Sequence, residues 1–171
     1  MSRETAPPPG DLCFARKKFD IRTLEDEIAV DQLCSRFLQS FFHHLVETEK
    51  TSPAEAARLA RGADHFLREF IIPEKRENIF VISCERVRQF AGNWYIVRTL
   101  EPNPKELCDI LDGIKTFYRF CSQSGKTDFT RYEAIVHHCN QLDYYRKRID
   151  SFWAIEDDGY FSWNAECPLE S

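Results

Sequence analysis

The 171-residue sequence is poor in glycine, with six, and holds a single methionine. So few glycines leave neither the G-x-x-x-x-G-K-[ST] loop that cradles nucleotide phosphates nor the G-x-G-x-x-G dinucleotide fingerprint. The nucleophile elbow G-x-S-x-G is missing as well. No apolar run approaches the ~18 residues that span a bilayer, so no membrane partner is expected. The opening residues, MSRETAPPPG, lack the apolar stretch of a secretory signal, which points to a cytoplasmic protein. The chain also lacks the basic excess usual in nucleic-acid binders: 23 Lys and Arg stand against 28 Asp and Glu, a formal charge of -5.

Its apolar share of 43% and charged share of 30% are those of a globular chain of about one domain. Fourteen Phe within a 13% aromatic content predict a bulky core. The acid is uneven: residues 52–127 carry 12 basic and 10 acidic groups, and residues 128–171 carry 4 and 9. Seven cysteines, an odd number without a C-x-x-C pair, read as free thiols in a reducing compartment. Cys34, Cys108, Cys121 and Cys139 fall on helical apolar stripes, where a thiol acts as a small hydrophobe.

Helical periodicity dominates the rest, predicting an all-α fold, a bundle of about five helices over 23–153 with a compact centre at 52–127. Residues 1–22, with three consecutive prolines, form an extended or flexible lead. The first helix starts at Thr23, ahead of Glu25-Asp26-Glu27, and ends near Glu49. The second opens on Ser52-Pro53-Ala54-Glu55, a capping box with proline at the first helical position, and Pro73 ends it. The third runs from a Ser83 cap to Thr99, after an IFVI segment at 79–82 that suits a short strand or a helix-start staple equally. The fourth opens on Asn103-Pro104-Lys105-Glu106, carries Leu107, Ile110, Leu111, Ile114, Phe117, Tyr118 and Cys121 on one face, and stops at Gly125. The fifth begins near Thr127 or Thr130 and continues to Trp153. In the acidic aromatic tail 154–171, Asp158-Gly159 can turn a small hairpin, or the tail can pack back on the bundle. The predicted core includes Phe37, Phe41, Phe66, Phe70, Trp94, Ile110, Ile114, Phe117 and Ile135.

His43-His44 and His137-His138-Cys139 hold zinc-ligand side chains. Adjacent histidines on a helix point about 100° apart, so each pair offers one ligand, and no metal or other cofactor is expected. The carboxylates of 25–27 and 156–158 suit a helix start and a turn better than acid-base work. No enzyme and no small-molecule substrate are therefore expected. Arg58, Arg61 and Arg68 on the second helix and Lys115 and Arg119 on the fourth are the candidate phosphate contacts, a site for duplex DNA. Asp64, Glu69, Asp109 and Asp112 are interleaved with them, as on an ordinary solvated face.

The segments SPAEAARLARGADHFLREF, ISCERVRQFAGNWYI and NPKELCDILDGIKTFYRFCSQSGK, in that order, resemble the SAM-like N-terminal core-binding domain of phage-integrase-type tyrosine recombinases. The resemblance covers residues 52–127 and rests on helix lengths and caps. It implies a four-helix domain that clamps duplex DNA through the basic residues of the second and fourth helices. Only 44 residues follow Thr127, too few for the recombinase catalytic domain, so it implies binding without strand exchange. The alternative expectation is a protein-interaction or dimerisation module with no nucleic-acid binding. It rests on the acidic charge, the aromatic tail of Tyr160, Phe161 and Trp163, and the Phe-rich first helix.

Overall fold

Capping side chains set the helix starts. In a computed structural model, which describes residues 12–170, α1 spans Leu24–Glu47. Thr23 Oγ1 accepts from the Asp26 amide at 3.1 Å, and Asp26 Oδ2 accepts from the Thr23 amide at 3.0 Å. Two donors that a helix end would otherwise orphan are thereby satisfied. α2 (Pro53–Phe66) starts from Ser52, whose Oγ accepts from the Glu55 amide at 3.3 Å. Pro73 does not end this rod. The chain winds on as a π-helix over Leu67–Lys75, with Pro73 inside it, and stops at Arg76, where φ is 53°. The wider π turn moves aside the carbonyl that a proline ring would strike in an α-helix.

α3 (Glu85–Gln89), a π turn at Phe90–Trp94 and α4 (Tyr95–Arg98) form one continuous rod. Ser83 gives this rod its carbonyl, to Arg86 N at 3.1 Å, and no side-chain cap forms at its start. α5 (Pro104–Gln123) begins at Asn103, whose Oδ1 accepts from the Glu106 amide at 2.8 Å. It closes at Gly125, which takes a left-handed φ of 73° while Lys126 N returns to Cys121 O at 2.9 Å. Glycine adopts this conformation without the Cβ penalty.

The single fifth helix of the sequence reading is two helices, α6 (Phe129–Cys139) and α7 (Leu142–Trp153), capped from Asp128. The break falls at Asn140, a residue whose short amide favours helix ends over interiors. It lets Ile135 and Cys139 on one side and Tyr145 and Ile149 on the other enter the core from different directions. No hairpin forms among the described residues of the tail. Gly159 N bonds Glu156 O at 3.1 Å, and α8 (Tyr160–Ala165) follows. A helix there buries Trp163, whose Nε1 donates to Arg148 O at 3.1 Å. Among the described residues the fold is all helical, in seven rods rather than about five, without a strand.

The lead is not extended throughout. Residues 1–11 lie outside the described residues, but Leu12–Phe14 and Arg16–Phe19 are short 3-10 turns. Phe19 is fully buried, with its ring 4.7 Å from Phe80 and 6.2 Å from Phe37. The IFVI segment is neither strand nor staple but a turn that buries Ile79, Phe80 and Ile82 and leaves Val81 exposed. Asn78 Oδ1 accepts from Phe80 N at 3.0 Å, and its Nδ2 reaches Arg16 O at 2.8 Å. Tyr118 donates to Ile79 O at 2.7 Å and Thr127 to Phe80 O at 2.9 Å, so the buried carbonyls are satisfied. Replacing Tyr118 with Phe removes one of these donors and is expected to cost about 1–2 kcal/mol, read from urea denaturation.

α2 and α5 make the most extensive packing in the chain, with α1 beside α2 and α6 beside α5. Gly62 and Gly113 meet at the α2–α5 crossing. A Cβ on Gly62 would lie 2.9 Å from Ile110 Cα, and one on Gly113 3.0 Å from Gly62 Cα. All nine predicted core residues are buried. Their rings form edge-to-face pairs such as Phe41–Phe117 at 5.5 Å and Phe66–Phe90 at 5.2 Å, geometries that follow the ring quadrupoles.

Candidate functional site

Of the five cations proposed from the sequence, Arg58, Lys115 and Arg119 line one open groove of about 570 Å3 between the end of α1, the start of α2, α5 and α6. Glu49, Glu55 and Asp112 line it too, and every cation is engaged by a carboxylate. Arg58 bonds Glu55 at 2.6 Å and Asp109 at 2.8 Å. The Glu55 hydrogen bond raises the Arg58 pKa and lowers that of Glu55, two shifts that agree in sign. Lys115 lies 3.2 Å from Asp112 and donates to Asn140 Oδ1 at 3.1 Å. Arg119 holds Glu49 at 2.6 Å, and the other Glu49 oxygen is 3.3 Å from His44 Nε2.

Arg61 and Arg68 do not join them. Arg68 forms a fork on Asp31 across α1, at 2.9 and 3.0 Å, and reaches Asp64 at 3.1 Å. The Asp31 bond raises its pKa first, then Asp64. Arg61 is exposed and makes no ion pair among the described residues. It stands on the rim of a second groove, of about 420 Å3, between α1 and α2. The interleaved acids therefore compete for the same cations that phosphates would need, and the five do not share one face.

The histidines face different partners. His44 faces Glu49, His138 lies 3.6 Å from Glu85, and His137 contacts Gln141 at 3.1 Å. Burial lowers the His138 pKa and favours its neutral form. Among the described residues no three His, Cys, Asp or Glu side chains are grouped as a metal would need. Burial pushes the thiols of Cys34, Cys121 and Cys139 well up, so they stay protonated and weakly nucleophilic. Cys13 is exposed. Ellman titration of the reduced native protein is expected to modify Cys13 within minutes. Half-buried Cys84 and Cys108 should follow more slowly, the buried Cys34, Cys121, Cys139 and Cys167 should react only in denaturant, and labelling of more than three thiols in the native protein would contradict this packing.

No protein family, curated protein or solved structure matches this chain.

One feature escaped sequence reasoning. Arg148 looks like part of an exposed basic cluster, Arg146-Lys147-Arg148, but is only 3% exposed. Its guanidinium lies 3.8 Å from the Trp163 ring centroid and bonds Gly92 O and Trp163 O, both at 2.8 Å. Its position, three residues beyond Tyr145 and one before Ile149, is the only local signal of an inward face. Of the aromatic tail noted in the sequence, Trp163 is buried, while Tyr160 and Phe161 on α8 are exposed, as is Trp153 on α7. Trp153 is 59% and Phe161 78% exposed, and Tyr160 stands beside Phe161 at 6.1 Å. Asp150, Glu156, Asp157 and Asp158 are exposed nearby in sequence. None of them makes an ion pair among the described residues, in contrast to the paired acids of the first groove.

No helix of the described residues is long and apolar enough to cross a membrane.

Proposed function

We propose that the chain is a non-catalytic interaction module that engages protein rather than duplex nucleic acid. The observation that carries this reading is the fate of the cations: Arg58, Arg68, Lys115 and Arg119 each already hold carboxylates at hydrogen-bond or ion-pair distance. Phosphate binding would have to displace those partners, and affinity for duplex comes mainly from cations free to neutralise phosphates. The net charge of -5 opposes approach to a polyanion as well. Exposed rings beside unpaired acids, by contrast, are the surface chemistry of a protein docking face.

The test is fluorescence anisotropy of a labelled duplex of about 30 base pairs in about 50 mM salt, titrated to about 100 µM protein. No change in anisotropy is the expected result. Saturable, salt-sensitive binding that disappears on substituting Arg58, Lys115 and Arg119 together would replace this reading with the duplex-binding one that the recombinase resemblance implies.

A further inference from the structure

The groove that carries Arg61 has an apolar lining of Leu38, Phe42, Ala57 and Ala60. Two alanines one turn apart on α2 leave the space that larger side chains would fill. Its polar rim includes Arg61 and His43, both exposed. Asp64 also borders it, but that carboxylate is held by Arg68 at 3.1 Å. The groove is thus apolar in its floor, with Arg61 on its edge as a cation that makes no ion pair among the described residues.

The aromatic surface on α7 and α8 has the opposite character. Phe161 and Trp153 project, Tyr160 stacks on buried Trp163 at 6.1 Å, and the carboxylates of Asp150, Glu156, Asp157 and Asp158 are unpaired among the described residues. α7 packs on α5 and on the π turn of the α3–α4 rod, and α8 packs on α7, while the groove lies between α1 and α2. The two surfaces therefore belong to separate faces of one molecule, and a chain cannot seat its own rings in its own groove.

We propose that the acidic aromatic face of one molecule docks in the α1–α2 groove of a second copy of this chain, Phe161 entering between Phe42 and Ala60 and the acids of 156–158 facing Arg61. This deepens the interaction reading above and rests on it. The occupant is a second copy because one chain supplies both halves, apolar against apolar and acid against cation. Because the joint pairs two different surfaces on separate faces of the molecule, it is built head to tail. A face of a few rings and charges is small, so the association is weak and salt-dependent.

Sedimentation equilibrium of the full chain, from about 5 to about 500 µM in about 50 mM salt, tests it. The weight-average mass is expected to climb with concentration from 20.1 kDa toward and past twice that value, and to fall back as salt is raised. Phe161→Ala and Arg61→Glu alter exposed side chains, so both variants keep the wild-type circular dichroism spectrum. Each alone is expected to weaken association by about tenfold or more. Mixing them is the decisive arm. Phe161→Ala keeps its groove and Arg61→Glu keeps its rings, so the mixture rebuilds one joint and stops at a dimer. A monomer mass at every concentration overturns the inference, as does association that ignores both substitutions or fails to return on mixing. A monomer that also leaves duplex anisotropy unchanged removes only this self-docking; the wider interaction reading stands or falls on the duplex titration.

Discussion

Gly113→Ala is expected to lower the unfolding free energy by about 3 kcal/mol or more, read from the urea midpoint at unchanged m-value. In most helix interiors the same change gains up to about 1 kcal/mol, because alanine has the better helix propensity. Here the sign reverses. The added methyl would press on Leu59 O, and would lie 3.0 Å from both Ala63 N and Gly62 Cα. These are backbone atoms of α2, so no rotamer change relieves the overlap, and the two helices must separate. Separation loosens Leu59, Ala63, Ile110 and Ile114, all buried beside the crossing. Gly125→Ala is the control. Nothing lies within 4 Å of its missing Cβ, and only the left-handed φ of 73° opposes it, a cost of about 1 kcal/mol. A Gly113→Ala protein as stable as wild type would mean that α2 and α5 do not cross as closely as described.

This crossing also marks how far the sequence could be read. The starts of α2 and α5 are legible because their signals are local: Ser52 and Asn103 cap amides three residues away, and a proline follows each. The α5 face is legible because seven apolar side chains, from Leu107 to Cys121, fall on the same side of one 20-residue helix. That Gly62 and Gly113 face each other is not, since 51 positions separate them and no local pattern joins them. The ion pairs fail for the same reason. Arg58 finds Asp109, Arg68 finds Asp31 and Arg119 finds Glu49 at separations of 51, 37 and 70 residues. Sequence reading could see that acids were interleaved with the cations, but not that the fold would join them. The tail shows the reverse case, where a local signal misleads. Asp158-Gly159 has hairpin chemistry, yet burying Trp163 over Arg148 favours one helical turn instead.

Arg148→Ala is expected to cost about 3–5 kcal/mol and to release the C-terminal segment before the rest of the chain unfolds. Nε donates to Gly92 O and Nη1 to Trp163 O, each at 2.8 Å, and Nη1 also approaches Glu166 at 3.3 Å. Truncation leaves two carbonyls without these donors, empties the space under the Trp163 ring and removes a desolvated cation–π contact. Glu166 is exposed and keeps water as a partner, so it adds little to the loss. The same side chain links three elements: Gly92 lies in the α3–α4 rod, Arg148 in α7 and Trp163 in α8. Asn93 reinforces the joint, donating to Cys167 O at 2.7 Å and Asn164 Oδ1 at 2.8 Å. Hydrogen exchange should therefore accelerate first over residues 160–170 in the variant, with α2 and α5 amides following only the global loss. Arg148→Lys keeps the charge but not the planar fork that reaches both carbonyls, and should fall between alanine and wild type. Arg148→Ala with wild-type exchange over 160–170 would show that α8 is held by its rings alone. Because Tyr160 and Phe161 ride on α8, the same variant should also abolish the concentration-dependent rise in mass, at protein concentrations where α2 and α5 remain folded.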